Sequence, residues 1–364
     1  MDITKLSDKE LKLLQKKTKI EIGKYNNYQL AKKVQLNSAY GAMGNQYFRF
    51  YDIRLAEAVT LSGQLVIQWI AQDVNEYLNK VLDTDNQDYI VAIDTDSIYV
   101  CLENLINKIM PDETDTDKVI DYLDKVCEKK ITDIIDDSCA RLGEYLNVYD
   151  QKMVMKREAL SDKAIWTAKK RYVMNVYDLE GVRYETPDLK IMGIESVKSS
   201  TPEVCRDKIK ETLKLIMTTD NDTVIKYIKD FKKEFNTLSA EEIGKPTSMN
   251  GIKKYCDKNH LYIKGTPYHV KGSLLFNKLL DDKQLTGHYE SVKDGDKVKF
   301  IYLKKPNFTQ EDGISFSVVL PKEMNLHQHI DYDKQFETVY LKPVKMILDV
   351  IGWKTEKERT LIFE

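Results

Sequence analysis

The chain has 364 residues, 42% of them hydrophobic, which is enough for two or three units with cores of their own and excludes a disordered chain. Its 56 basic and 58 acidic residues leave a net charge of −2, so bulk charge neither requires nor forbids a polyanionic partner. Five scattered cysteines without a CxxC pair speak against a disulfide framework or a zinc site, and with no apolar leader or bilayer-length apolar run the expectation is a soluble cytoplasmic protein without a membrane partner.

From Ser7 to Tyr40 the residues are strong helix formers without proline, and Ser7 and Glu10 stand at capping-box spacing, which predicts one or two helices. Within them AKKVQLNSAYGAMGN, residues 31–45, places Lys33, Asn37, Tyr40 and Gly41 on one helical face. A cation, an amide and an aromatic plate beside a gap suit a triphosphate, its sugar and a base pair. An amphipathic helix ending at a glycine cap is the ordinary alternative. The stretch YDIRLAEAVTLSGQLVIQWIAQDVNEYLNKVL then carries Leu55, Ala58, Val59, Leu65, Ile67, Ile70, Val74 and Leu78 at helical spacing, predicting a long buried helix that ends at 83–87.

Next comes DYIVAIDTDSIYV, residues 88–100, where Asp94 and Asp96 interrupt a run that reads as core β-structure. Either the strand runs through and both carboxylates share a face, or DTDS turns and both lie near a hairpin tip. In both cases two close carboxylates repel unless a cation or proton sits between them, and hard oxygen ligands suit magnesium. An acidic surface turn is the plain alternative, weakened by the apolar flanks on both sides.

An acid-rich helical region covers about 115–146, and Lys-rich stretches cover 152–172 and 245–271. AKKRYVMNV, residues 168–176, reads as a strand with Lys170 and Tyr172 on one face and Lys169 and Arg171 on the other. Three cations beside a tyrosine suit a duplex backbone and the acceptors that all base pairs share, although an edge strand guarded by lysines has the same look. The strand leads into a turn at LEG, where Asp178 and Glu180 read as turn residues. From Thr201 the pattern changes to Lys-rich helices and short strands, which places a domain boundary near 200. The predicted class is α+β.

Taken in order, KxxxNSxYG (Lys33 to Gly41), DTDS (Asp94 to Ser97) and KKRY (Lys169 to Tyr172) resemble the polymerase region of family B DNA polymerases, and the flanks NSAYGAMGNQYFRFYDIR, LKIMGIESVKSSTP and PYHVKG are most similar to those of large tailed phages. The similarity runs through nearly the whole chain. It implies part of the fingers over 1–45, the C-terminal part of a palm with an antiparallel sheet over 46–200 and a mostly helical thumb over 201–364. It also implies DNA-templated nucleotidyl transfer with two Mg2+ ions, Asp96 as a ligand of both and Asp94 as its neighbour. Lys33 and Asn37 would hold the phosphates of a deoxynucleoside triphosphate, while Tyr40 and Gly41 would pack by the nascent base pair. Lys169, Lys170, Arg171 and Tyr172 would hold primer-template DNA, and Glu158 in MKREAL matches a further acidic palm position. In YIKGTPYHVKG, Lys264, His269 and Lys271 would reach phosphates of the departing duplex. Ile93 departs from the family pattern, which has Gly before DTDS, and puts the local backbone path in question.

Two-metal transfer needs a second aspartate facing the first, which the family supplies from a segment ending in Ser-Leu-Tyr-Pro-Ser, and none of the eight prolines here follows Leu-Tyr. The acidic motifs of a proofreading exonuclease are missing too. The expectation is therefore half of an active site, completed by an N-terminal polymerase and exonuclease chain. Met at position 1 suits a polymerase split between two genes, while a shortened gene or an expressed fragment would read alike. A noncatalytic DNA-binding remnant and an unrelated magnesium phosphohydrolase are the competing readings. The end of KTEKERTLIFE resembles the short apolar tail by which related phage polymerases dock on a sliding clamp, which implies a clamp partner, and stray apolar residues at a frayed terminus are the equal alternative.

Overall fold

The computed structural model describes residues 6–257 and 261–356. The fold class is α+β, with every strand pairing antiparallel. The chain forms two compact units, residues 1–156 and 157–364.

The first unit opens with α1 (Asp8–Met43), a single helix of 36 residues. The Glu10 carboxylate accepts from the Ser7 backbone N–H at 2.9 Å and from its hydroxyl at 2.7 Å, which ties off the start. No residue of α1 is buried, and Leu13, Ile20, Tyr25, Tyr28, Leu30 and Leu36 lie open. Next, α2 (Ile53–Leu82) starts on the Asp52 side chain, which accepts from the Arg54 N–H, and stops at Asp83 in the left-handed region at φ 57°. Apart from Ala56, the expected long buried helix is buried only from Ile67 onward. Ile67, Ile70, Ala71, Val74 and Leu78 lie in the part of α2 packed against α5 (Thr132–Tyr145), whereas Leu55, Val59, Leu61 and Leu65 are exposed. Arg141 of α5 bonds Asp73 of α2 at 2.6 Å across the same contact.

Between these helices lie the hairpin β1 (Ile90–Asp94) and β2 (Ser97–Val100), then α3 (Glu103–Ile109) and α4 (Thr116–Val126), which continues through a π-turn, Cys127–Ile131, into α5. The hairpin is aimed by α2. The Asn75 side chain accepts from the Tyr89 N–H and donates to the Asp88 carboxylate, both at 2.8 Å, and Asn79 accepts from the Gln87 N–H at 2.9 Å. These bonds fix where β1 leaves the loop.

The second unit begins with a meander of β3 (Ala159–Ala168), β4 (Arg171–Leu179) and β5 (Val182–Met192). After it come α6 (Glu203–Thr218), α7 (Asn221–Phe235), α8 (Ala240–Ile243), β6 (Lys245–Ser248), α9 (Tyr268–Asp282), β7 (Lys297–Tyr302), β8 (Gly313–Phe316), α10 (Tyr332–Phe336) and α11 (Lys342–Val350). Val173 and Ile194 of the meander region join one core with Cys205, Ile209 and Leu213 of α6, so packing is continuous across position 200. At its centre Phe231, Phe235, Phe336 and Tyr340 stack at centroid distances of 4.7 to 5.8 Å, and the Tyr340 hydroxyl shares a 2.7 Å hydrogen bond with Thr212. No described helix is long and apolar enough to cross a membrane.

Candidate active site and nucleic-acid surface

Asp94 ends β1 and pairs with Ser97 at the start of β2, so Thr95 and Asp96 form the two-residue turn between them. Thr95 takes the left-handed region at φ 51°, and the Asp94 carbonyl accepts from the Asp96 N–H at 2.6 Å and from the Ser97 hydroxyl at 3.1 Å. The strand therefore does not run straight through. The turn holds both aspartates at the hairpin tip, with Asp94 half-buried and Asp96 exposed. The flanks are less buried than core strands would be, since Val91 is 53% and Ile93 42% exposed. The reason is that β1 and β2 form a sheet of two strands that packs on α2, leaving the rest of its surface open.

Two carboxylates in one tight turn form a hard-oxygen donor pair whose chemistry fits Mg2+ better than softer metals. Among the described residues no group of three or more His, Cys, Asp or Glu side chains converges on a metal position.

Lys33, Asn37, Tyr40 and Gly41 all lie within α1 and all are exposed. Gly41 is not the helix cap, because the helix continues to Met43 and Gly44 takes the capping position. The helix does end at a glycine cap, as in the ordinary alternative, and it buries none of its residues.

KKRY is not one strand. Lys169 and Lys170 are the two-residue turn between β3 and β4, with Lys170 at φ 61°, while Arg171 and Tyr172 begin β4. Lys169 and Lys170 are exposed at the tip. Tyr172 is buried, its ring 5.9 Å from Trp166, and presents no open aromatic face. The Arg171 guanidinium is committed within the protein, bonding both oxygens of Glu195 at 3.0 and 2.8 Å. Burial pushes the Glu195 carboxyl up, but the bonds from Arg171 and Lys198 outweigh it and hold the group below the usual carboxylate range. It is thus ionised at neutral pH.

Glu158 is exposed and bonds Lys190 at 2.6 Å, which ties the start of the meander to β5. Lys264 lies in an exposed turn. His269 and Lys271 occupy the first turn of α9, which lies so close to β8 that a Cβ on Gly272 would stand 2.6 Å from the Ser315 nitrogen. Burial lowers the His269 pKa, and the Lys271 ammonium sits 4.8 Å from the Tyr262 ring centroid and 5.9 Å from that of Tyr268. The expected clamp-docking end, residues 357–364, lies outside the described residues.

Sequence reasoning missed two paired acids, the half-buried Glu195 and the buried Asp178. Glu195 has one local partner, Lys198 three positions on, but its two-point partner Arg171 is 24 positions away and leaves no local signal. Asp178, read as a turn residue, is a buried strand residue held by Arg157, by Arg183 at 3.6 Å and by the Gly181 N–H at 3.1 Å; Glu180 takes the turn instead, at φ 52°. Proximity to Gly181 in sequence hid its pairing with Arg157.

Comparison with known proteins closes the case for a family. The family described as DNA polymerase family B matches residues 7–351. The DNA-directed DNA polymerase of Enterobacteria phage T4 is 36% identical over 351 residues, covering 93% of this chain, and that of Escherichia phage RB69 is 35% identical over 349 residues, covering 92%. The chain spans about 38% of the length of each. DNA polymerase 1 of Aeropyrum pernix is 23% identical over 259 residues, covering 70% of this chain and 22% of its own length.

Proposed function

This chain belongs to DNA polymerase family B, and from that membership we propose that it is a C-terminal portion of a DNA-directed DNA polymerase that adds deoxynucleotides to a primer end. The observation that carries this reading is the exposed Asp96 beside Asp94 on one hairpin tip. These two carboxylates would hold divalent metal, with an opposing acidic residue supplied by a further polypeptide segment. When bound, the metals supply charge neutralisation for the triphosphate and for the primer 3′-oxygen. The exposed apolar residues of the hairpin, Val91 and Ile93, and of α2, Leu55, Val59 and Leu61, support a covering segment.

The chain's own residues then divide the work. Lys33 neutralises the triphosphate and Asn37 bonds its oxygens, one helical turn apart on α1, while Tyr40 packs against the nascent base pair with Gly41 leaving room. Lys169 and Lys170 meet the primer-template backbone, with Lys264, His269 and Lys271 as a second set of contacts. Glu158, exposed and paired with Lys190, stands as a further acidic residue for the metal site. Mixing the chain with a polypeptide bearing the opposing aspartate and measuring magnesium-dependent primer extension tests the reading; DNA binding without extension, whatever segment is added, would leave a DNA-binding module instead.

Lys33→Ala in the reconstituted enzyme is expected to raise the KM for deoxynucleotides about 10- to 100-fold, the worth of one charge-assisted bond, without changing DNA affinity. Equal KM values in steady-state extension would remove Lys33 from the triphosphate. Lys170→Ala is expected to weaken duplex binding evenly across sequences and to lower the slope of log affinity against log salt by about 1. A fluorescence-anisotropy titration with unchanged slope would take the turn off the DNA.

A further inference from the structure

Lys170 is a lysine in a backbone region where glycine or asparagine would cost less, at φ 61°. Such a residue persists only where its surroundings impose the conformation, and such residues gather at functional sites. Three features impose it here. Arg171, next in the chain, bonds Glu195 through two N–H groups at 3.0 and 2.8 Å. Lys198 bonds the same carboxylate at 3.0 Å. Gly193, at φ 66°, lies against the turn so closely that a Cβ there would collide with the Lys170 carbonyl oxygen.

The Arg171 side chain is turned into the protein. Its Nε is buried without a hydrogen-bond acceptor, and its two terminal nitrogens are spent on Glu195. A planar guanidinium bonded at two points fixes direction as well as distance, which a lysine cannot do. The brace therefore joins the first residue of β4 to the segment following β5.

We propose that Arg171 and Glu195 are positioning residues for duplex binding, a rigid brace that holds the Lys169–Lys170 turn in its DNA-binding shape, and that Arg171 itself does not contact DNA. This rests on the reading of the turn as a DNA contact. It gives Glu195 an effect opposite in sign to simple electrostatics. Removing an acid beside two exposed lysines should strengthen binding to a polyanion if only the field matters, and weaken it if the brace matters.

The test is anisotropy titration of a labelled primer-template duplex with the full 364-residue chain over a range of NaCl concentrations. Glu195→Gln is expected to bind about 10-fold more weakly, with the salt slope reduced by about 1 as a phosphate contact is lost. Tighter or equal binding with an unchanged slope overturns the brace. Arg171→Lys keeps every charge but allows only a point contact with Glu195. It is expected to weaken binding about as much, and wild-type binding by this variant overturns the inference even if Glu195→Gln fails to melt cooperatively. The Lys169→Ala/Lys170→Ala double variant separates the two levels. If it binds like wild type, the turn is not a DNA contact and the inference falls with that reading; if it alone loses affinity, the DNA contact stands and the brace is rejected.

Discussion

Asp96→Asn in the reconstituted polymerase is expected to slow nucleotide incorporation by about 10³-fold or more while changing DNA affinity less than about twofold. The asparagine keeps the shape of the turn, because the bonds that form it use the backbone of Asp94 and Asp96 and the Ser97 hydroxyl, not the Asp96 carboxylate. What is lost is a full negative charge at an exposed tip, and with it the hard anionic ligand that divalent cations require. Interactions aimed at charge that develops in the transition state are worth about 3 to 4 kcal/mol each, and a ligand shared by two metals is worth at least that. Single-turnover extension at saturating nucleotide reads the chemical step, and anisotropy reads the DNA. Near wild-type incorporation would refute the assignment of the metal site to DTDS, and a parallel loss of DNA affinity would make Asp96 structural.

The second large effect concerns stability. Asp178→Ala should destabilise the unit formed by residues 157–364 by about 3 to 5 kcal/mol, because it strips a carboxylate from Arg157, whose side chain is only 10% exposed, and from Arg183. The loss comes from removing one member of a buried ion pair, which costs more than the net worth of the pair itself. For a unit of this size it corresponds to a fall in Tm of roughly 10 °C. Differential scanning calorimetry on the full chain checks it, and a shift under about 2 °C would mean that water reaches Arg157 when the acid is gone.

Local chemistry was legible in the sequence and long-range partnership was not. The carboxylate pair could be read because both members lie within four residues, where turn propensity and charge repulsion act together. The α1 face was legible because helical periodicity is a local rule. KKRY was misread as a strand because Lys169 and Lys170 carry no turn signature; the conformation at Lys170 is imposed by Gly193 and the Arg171–Glu195 pair, which meet it only after the meander folds back. Likewise the half-exposure of α2 depends on where α5 ends, not on the α2 stripe, which is apolar along its whole length. The palm and thumb labels rest on family resemblance, whereas the core itself runs unbroken from Val173 through Leu213.

The unburied α1 carries a consequence for assembly. A helix held up by its own backbone bonds obeys the helix–coil equilibrium of a peptide, in which length favours order and each exposed turn remains free to melt. Whatever segment covers its open tyrosines and leucines therefore shifts that equilibrium, and the free energy of straightening α1 is subtracted from the strength of the contact. Lys33 and Asn37 ride on this helix, so on the proposed reading their alignment toward a nucleotide would depend on whatever covers it. Assembly and substrate affinity are then thermodynamically linked, and each should be tighter in the presence of the other.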